Sequence, residues 1–98
     1  MDSIKWLEKW YQQQCDGEWE HSYGITIEAI DNPGWHIKID LCETKYAGMN
    51  MEKMQLMPND NDWIVCYIEQ RCFHGFGDPL KLSAIIEVFR RQIEVMEI

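Results

Sequence analysis

Four cysteines and three histidines are the residues best suited to chemistry in this chain. Both residue types can ligate zinc, and cysteine can also act as a nucleophile or form a disulfide. Zinc sites favour short paired spacings, which place two ligands on one turn. Cys15 with His21 and Cys66 with Cys72 are each separated by five residues, and neither has a second pair to complete it. The spacing therefore predicts no metal site, and it favours reduced thiols over a disulfide framework.

Cys72 is the best candidate for a catalytic nucleophile. It heads the glycine-bearing segment 72–77, which we interpret as a strand end or a loop just before a helix. Backbone donors and a helix dipole at such a place lower the pKa of a thiol. The segment is similar to the anion-binding loops of sulfurtransferases and tyrosine phosphatases, but it lacks their internal arginine. A small thiol-dependent enzyme of sulfurtransferase type, centred on Cys72, is therefore the alternative hypothesis.

Acidic residues cluster after the first helix, and one more lies in the turn between the first two predicted strands. Paired carboxylates serve glycosidases and nucleases, yet in a chain with seventeen acids they more often mark a solvated face. Two tryptophans lie beside them, and aromatic groups next to acids are the composition of binding hot spots. The structural alternative, a core corner lined by tryptophan, stays open. The sequence assigns no catalytic residue, and the candidate binding residues are Asp16, Glu18, Glu20, Asp31, Trp19 and Trp35.

The charge balance restricts the class of partner. Seventeen Asp and Glu against nine Lys and Arg give a net charge of -8 and a pI of about 4.7. Such a chain repels nucleic acids and anionic membranes and attracts a basic protein. No secretory signal or membrane-spanning run is present in the sequence, so we expect a cytoplasmic protein. We also expect no cofactor. The oligomeric state is left open, although the wide, tryptophan-edged apolar face of the first helix suits an adaptor in an oligomer.

Ninety-eight residues form one domain, residues 1–98, and their periodicity predicts its elements. A helix over 4–14 begins after a Ser3 cap, and a second begins at Asp78 and Pro79 and runs to the C-terminus. Alternation predicts strands near 25–29 and 35–41, a third over 51–57 and a fourth over 63–70, with a polar turn at 58–62. His36 is predicted to face solvent. The fold class is α+β, an antiparallel sheet of about four strands with both helices on one face.

The chain also resembles a known family. The segments that carry the resemblance are Trp6-Leu7-x-x-Trp10-Tyr11, Cys15-Asp16-Gly17-x-Trp19-Glu20-His21, Gly24-Ile25, Ile30-Asp31-Asn32-Pro33-Gly34-Trp35, Asp62-Trp63, Cys66 and Phe73-x-Gly75. They resemble the immunity protein 53 family of bacterial polymorphic toxin systems. The resemblance implies a small α+β inhibitor that binds a cognate toxin domain and blocks it. With the acidic charge, it favours a basic nuclease as the target.

Overall fold

The computed structural model describes residues 2–97, which form three helices and five strands. Within these residues, no helix is long and apolar enough to cross a membrane. The elements, in chain order, are α1 (Ser3–Gln14), α2 (Trp19–Ser22), β1 (Ile25–Ile30), β2 (Gly34–Asp40), β3 (Met54–Asn59), β4 (Asp62–Glu69), β5 (Cys72–Gly77) and α3 (Leu82–Met96).

The five strands form one antiparallel sheet in the order β1-β2-β5-β4-β3. The predicted α+β class is confirmed, with five strands instead of about four. The additional strand is β5, the segment that we interpreted as a strand end or a loop because of its glycines. Gly75 and Gly77 are instead at the centre of the sheet, beneath α3, where a side chain would overlap Ile85 and Lys81. These glycines permit close packing and do not end the strand.

Several predicted boundaries move because polar side chains bond elsewhere. The cap of α1 is Asp2, whose carboxylate accepts the N–H of Ile4 at 3.0 Å. The Ser3 hydroxyl donates instead to Glu87 on α3 and ties the two helices together. α3 begins at Leu82 and not at Pro79, because residues 78–81 form a turn that is closed by the Lys81 N–H donating to the Asp78 carbonyl at 3.0 Å.

The third and fourth strands are also displaced from their predicted ends. β3 begins at Met54, three residues later than predicted, and it includes Pro58 and Asn59. The polar turn over 58–62 therefore shrinks to Asp60 and Asn61. β4 ends at Glu69 because Gln70 and Arg71 have positive φ, 53° and 62°, and make the tight turn into β5.

α1 and α3 cover one face of the sheet, and the core lies between these two helices and the sheet. The central strands contribute inward-facing Ile37, Ile39, Cys66 and Phe73, all fully buried. Aromatic rings fill the space below α1 and α3. The Trp10 ring packs perpendicular to Phe89 with centroids 5.0 Å apart, which is the edge-to-face arrangement that aromatic pairs prefer.

We predict that Gly75→Ala destabilises the fold by about 1–3 kcal/mol, because the added methyl overlaps the γ2 methyl of Ile85. Urea unfolding measures this loss. Gly48→Ala is the matched control, since a methyl at Gly48 meets nothing within 4 Å. Adding Ile85→Leu, which removes the γ2 methyl, should recover part of the loss. Equal midpoints for Gly75→Ala and Gly48→Ala would contradict this explanation.

Candidate functional site

The six candidate binding residues lie at two opposite ends of β1. Asp16, Glu18, Trp19 and Glu20 precede the strand, whereas Asp31 and Trp35 follow it. β1 has six residues, so the two groups are about 20 Å apart at roughly 3.3 Å per residue. The structure therefore does not bring the six residues into one surface.

Two of the acids before β1 are committed to the local turn. The Asp16 carboxylate accepts the N–H groups of Glu18 and Trp19 at 3.0 and 2.9 Å. The Glu20 carboxylate accepts those of Asp16 and Gly17 at 2.9 and 2.8 Å. The pKa of Asp16 is lowered chiefly by the Trp19 N–H, and that of Glu20 by its own N–H and then by those of Asp16 and Gly17. These carboxylates hold the chain reversal that follows α1, as reciprocal capping groups do.

The other two residues in this segment differ in exposure. The indole of Trp19 is 1% exposed and packs against the rings of Trp10 and Tyr11, with centroids 5.9 and 5.6 Å away. For Trp19 the core-corner interpretation is therefore correct, because the short α2 directs its ring inward. Glu18 is exposed and makes no cap hydrogen bond, which leaves it as the free acid of this segment.

The other end of β1 gathers more surface groups than the sequence suggested. Antiparallel order places the β1–β2 and β3–β4 turns at the same end of the sheet, on either side of the exit from β5. Between them is a cleft of about 590 Å³, lined by Asn32, Met57, Pro58, Asn59, Asp60 and Trp63. We define the turn-end surface as Asp31, Asn32, Trp35, Asp60, Trp63 and Leu80.

The apolar part of the turn-end surface is held in position. Leu80 is 89% exposed. The indole N–H of Trp35 donates to the carbonyl of Pro79 at 2.9 Å, so this half-buried ring is fixed to the segment that carries Leu80. Asp31 and Asp60 are exposed on the flanking turns. Asp60, Trp63 and Leu80 were not among the binding residues predicted from the sequence. The available signal was that Leu80 lies before the apolar stripe of the last helix.

Asp78 connects the strands and the helix at this end of the sheet through hydrogen bonds. Its buried carboxylate accepts the N–H groups of Trp63 and Leu80, at 2.8 and 2.9 Å, and the ammonium of Lys81 at 2.8 Å. The Lys81 hydrogen bond is the main reason that the pKa of Asp78 falls to about 2. Lys81 also bonds Asp62 at 2.7 Å. This network links β4, β5 and the start of α3, and it fixes the backbone of Trp63 and Leu80 by hydrogen bonds.

The helix-free face of the sheet carries a stack of aromatic rings. The His36 ring lies parallel to Phe76 with centroids 4.2 Å apart and to His74 at 5.7 Å, and Tyr67 stacks on His74 at 5.2 Å. His36 is on the side opposite the core, as its alternation predicts. Its side chain is nevertheless half-buried, because its neighbours across the strands are aromatic and because Glu28 bonds it at 3.1 Å.

Cys72 does not occupy the loop that thiol chemistry would need. It is the first residue of β5, buried beside Asp40, and the chain reaches α3 only beyond the far end of that strand. The helix dipole therefore acts far from this sulfur. Burial, and then the negative charge of Asp40, raise the pKa of the Cys72 thiol. This is the opposite of what activates a nucleophilic cysteine.

The four cysteines are free thiols. Among residues 2–97, no group of three or more His, Cys, Asp or Glu side chains is arranged to hold a metal ion.

Comparison with family models decides the identity. The model described as Immunity protein 53 matches residues 4–94. The chain belongs to the immunity protein 53 family. Comparison with curated proteins and with solved structures gave no significant match. Membership in this family supports an immunity function, in which the protein binds a toxin partner, and it suggests a non-enzymatic role.

We predict that the thiols of this immunity protein react in the order of their exposure. Cys15 is exposed and should be alkylated first, whereas Cys72 should react slowly and Cys66 slowest, because burial raises the pKa of Cys66 to about 12. Mass spectrometry of the native protein during iodoacetamide treatment measures the order, and labelling in urea confirms that all four thiols are competent. Alkylation of Cys72 as fast as Cys15 at neutral pH would revive the thiol-enzyme hypothesis.

We predict that His74 makes the immunity protein less stable in mild acid. Burial and the nearby charges of His36 and Lys38 lower its pKa below the usual 6.5, more than Glu69 raises it. The unfolded chain therefore binds the proton more tightly, and stability falls as pH drops below about 6.5. The urea midpoint should fall less between about pH 7.5 and 5.5 in His74→Gln than in the wild type.

The control for this prediction is His21→Gln, at an exposed position on α2, which should keep the pH dependence of the wild type. Equal pH dependence in His74→Gln and the wild type would show that His74 does not contribute.

Proposed function

We propose that this immunity protein neutralises the toxin of a bacterial polymorphic toxin system by binding the toxin domain through the turn-end surface and occluding its active site. The observation that carries this proposal is Leu80, 89% exposed between two turns that carry the free carboxylates of Asp31 and Asp60. The inhibitor needs no cofactor, and it acts in the cytoplasm of the producing or neighbouring cell.

The geometry of this surface suits tight binding. Hot spots combine a central apolar or aromatic anchor with a polar rim, and they gain affinity when the anchor is rigid before binding. Leu80, Trp35 and Trp63 supply the anchor, and the network around Asp78 fixes the backbone beneath it. The adjacent cleft of about 590 Å³ leaves room for a projecting side chain of the toxin.

The charges favour a basic toxin. Several cations of the inhibitor are engaged in ion pairs within the chain: Lys5 with Glu8, Lys45 with Glu97, Lys81 with Asp62 and Asp78, and Arg90 with Glu87 and Glu94. Asp31 and Asp60 form no such pair among the described residues. A nuclease presents a basic groove to its polyanionic substrate, so we propose a nuclease as the target class. An acidic inhibitor would be steered into that groove.

Co-expression with the toxin domain encoded beside this chain tests the proposed function. We expect rescue of growth and co-purification of a stable complex. A nuclease assay on the purified toxin, with and without the inhibitor, then tests the target class separately. A folded inhibitor that neither rescues growth nor binds that toxin would overturn the proposal.

Within the complex, two kinds of substitution should act differently. Leu80→Ala should weaken binding about tenfold or more by raising the dissociation rate, as loss of an anchor does. The double variant Asp31→Asn, Asp60→Asn should mainly lower the association rate and flatten its dependence on salt. Surface plasmon resonance at several ionic strengths separates the two effects.

Matched controls exist outside the turn-end surface. Leu56→Ala removes another exposed leucine, on β3, and Glu52→Gln removes an exposed acid before that strand. Both should bind like the wild type. If the controls weaken binding as much as the turn-end variants do, the toxin docks elsewhere on the inhibitor.

A further inference from the structure

β1 is an edge strand with an unpaired outer side. The N–H of Asp40 donates to the carbonyl of Gly24 at 3.1 Å, which fixes the bonding pattern between β1 and β2. Because bonded pairs alternate in an antiparallel ladder, Thr26 and Glu28 bond to β2. Ile25, Ile27 and Ala29 therefore direct their N–H and C=O groups outward, and no other strand of residues 2–97 pairs with them.

The side chains of the same three residues face the helix side, where a groove separates β1 from α1. The groove has a volume of about 300 Å³ and is lined by Ile4, Leu7, Glu8, Tyr11, Ile25 and Ile27. Its walls are mostly apolar, and Ile27 is 42% exposed within it. An unpaired strand edge and an apolar groove therefore lie side by side and could be covered by one added strand.

The other edge of the sheet is protected in a way that β1 is not. β3 contains Pro58, which cannot donate a backbone hydrogen bond, and its register with β4 is interrupted between Leu56 and Asn59. Proline and bulges are the usual means of blocking edge-to-edge pairing. β1 has an uninterrupted register and the sequence Ile-Thr-Ile-Glu-Ala-Ile, without proline or lysine. β1 therefore lacks the features that block pairing at β3, and its outer side is available to another strand.

The local charge pattern favours a second copy of this chain as the occupant. The chain has a net charge of -8, so two copies repel each other over most of their surfaces. Along the outer edge, however, charges of both signs are present: Lys5 pairs with Glu8 at 3.0 Å beside the groove, and on the opposite face of the sheet the exposed Lys38 lies diagonally across from Glu28. Two acidic chains meet there with little repulsion, whereas a basic toxin is attracted to the free carboxylates elsewhere.

We propose that two copies of this protein pair β1 against β1, antiparallel about a two-fold axis centred on Ile27, to form a continuous ten-stranded sheet. In this register Ile27 faces Ile27 of the second copy, Ile25 faces Ala29, and Thr26 faces Glu28. The three residues with outward backbone groups all gain partners. A register centred on Glu28 would instead place two carboxylates opposite each other, which is destabilising.

Sedimentation velocity over a concentration series tests the dimer, with circular dichroism to verify folding. We expect the wild type to dimerise. Ile27→Lys should raise the dimer dissociation constant about a hundredfold or more, because two ammonium groups then face each other. Leu56→Lys is the matched control on the other edge strand, at a position 59% exposed, and it should dimerise like the wild type.

A charge-swap experiment tests the register itself. Ile27→Lys and Ile27→Glu should each be monomeric alone, and an equimolar mixture should form a heterodimer, because position 27 faces itself across the axis. A wild type that stays monomeric up to about 1 mM would overturn the proposal. Dimerisation of Ile27→Lys would do the same, and so would dissociation caused by Leu56→Lys. Loss of toxin binding in Ile27→Lys, with a monomeric wild type, would assign the β1 edge to the toxin instead.

Discussion

The close approach of α3 to β5 is the constraint on which the rest of the structure depends. Gly75 and Gly77 have no side chains on the helix side of the central strand, so Ile85 packs directly over the backbone. This contact sets the depth of α3 and therefore the position of Phe89, against which Trp6 and Trp10 of α1 pack. In a domain of only 98 residues, aromatic rings packed over a strand with glycines on its inner face bury a large apolar area with few residues.

Because both helices cover the same face, the sheet has two very different sides. The helix side supplies the core, and the opposite side bears half-buried rings that stack on one another between His36 and Tyr67. The sheet also has two different edges, one interrupted at Pro58 and one regular along β1. A small antiparallel sheet thus presents several distinct surfaces, and each can serve a different contact.

The carboxylates of this acidic chain divide into two groups by their hydrogen bonds. Asp16, Glu20 and Asp78 accept backbone N–H groups, their pKa values are lowered, and they stabilise turns. Asp31 and Asp60 lie on exposed turns and contribute to the field that a basic partner meets. Residue type alone does not separate these roles, since an aspartate in a turn satisfies either description.

The sequence by itself determined the α+β class, the first helix, the β1–β2 hairpin and the apolar stripe of α3, because these follow from local periodicity and turn chemistry. It also carried the family resemblance, in segments spread along the chain. Only the tertiary structure decided that β5 is the central strand, since a glycine beneath a helix cannot be distinguished in sequence from a glycine in a loop. The burial of Trp19 was likewise decided by tertiary packing, against Trp10 and Tyr11 of α1. Strand order placed Leu80 at the same end of the sheet as Asp31 and Asp60, because it brings distant turns together.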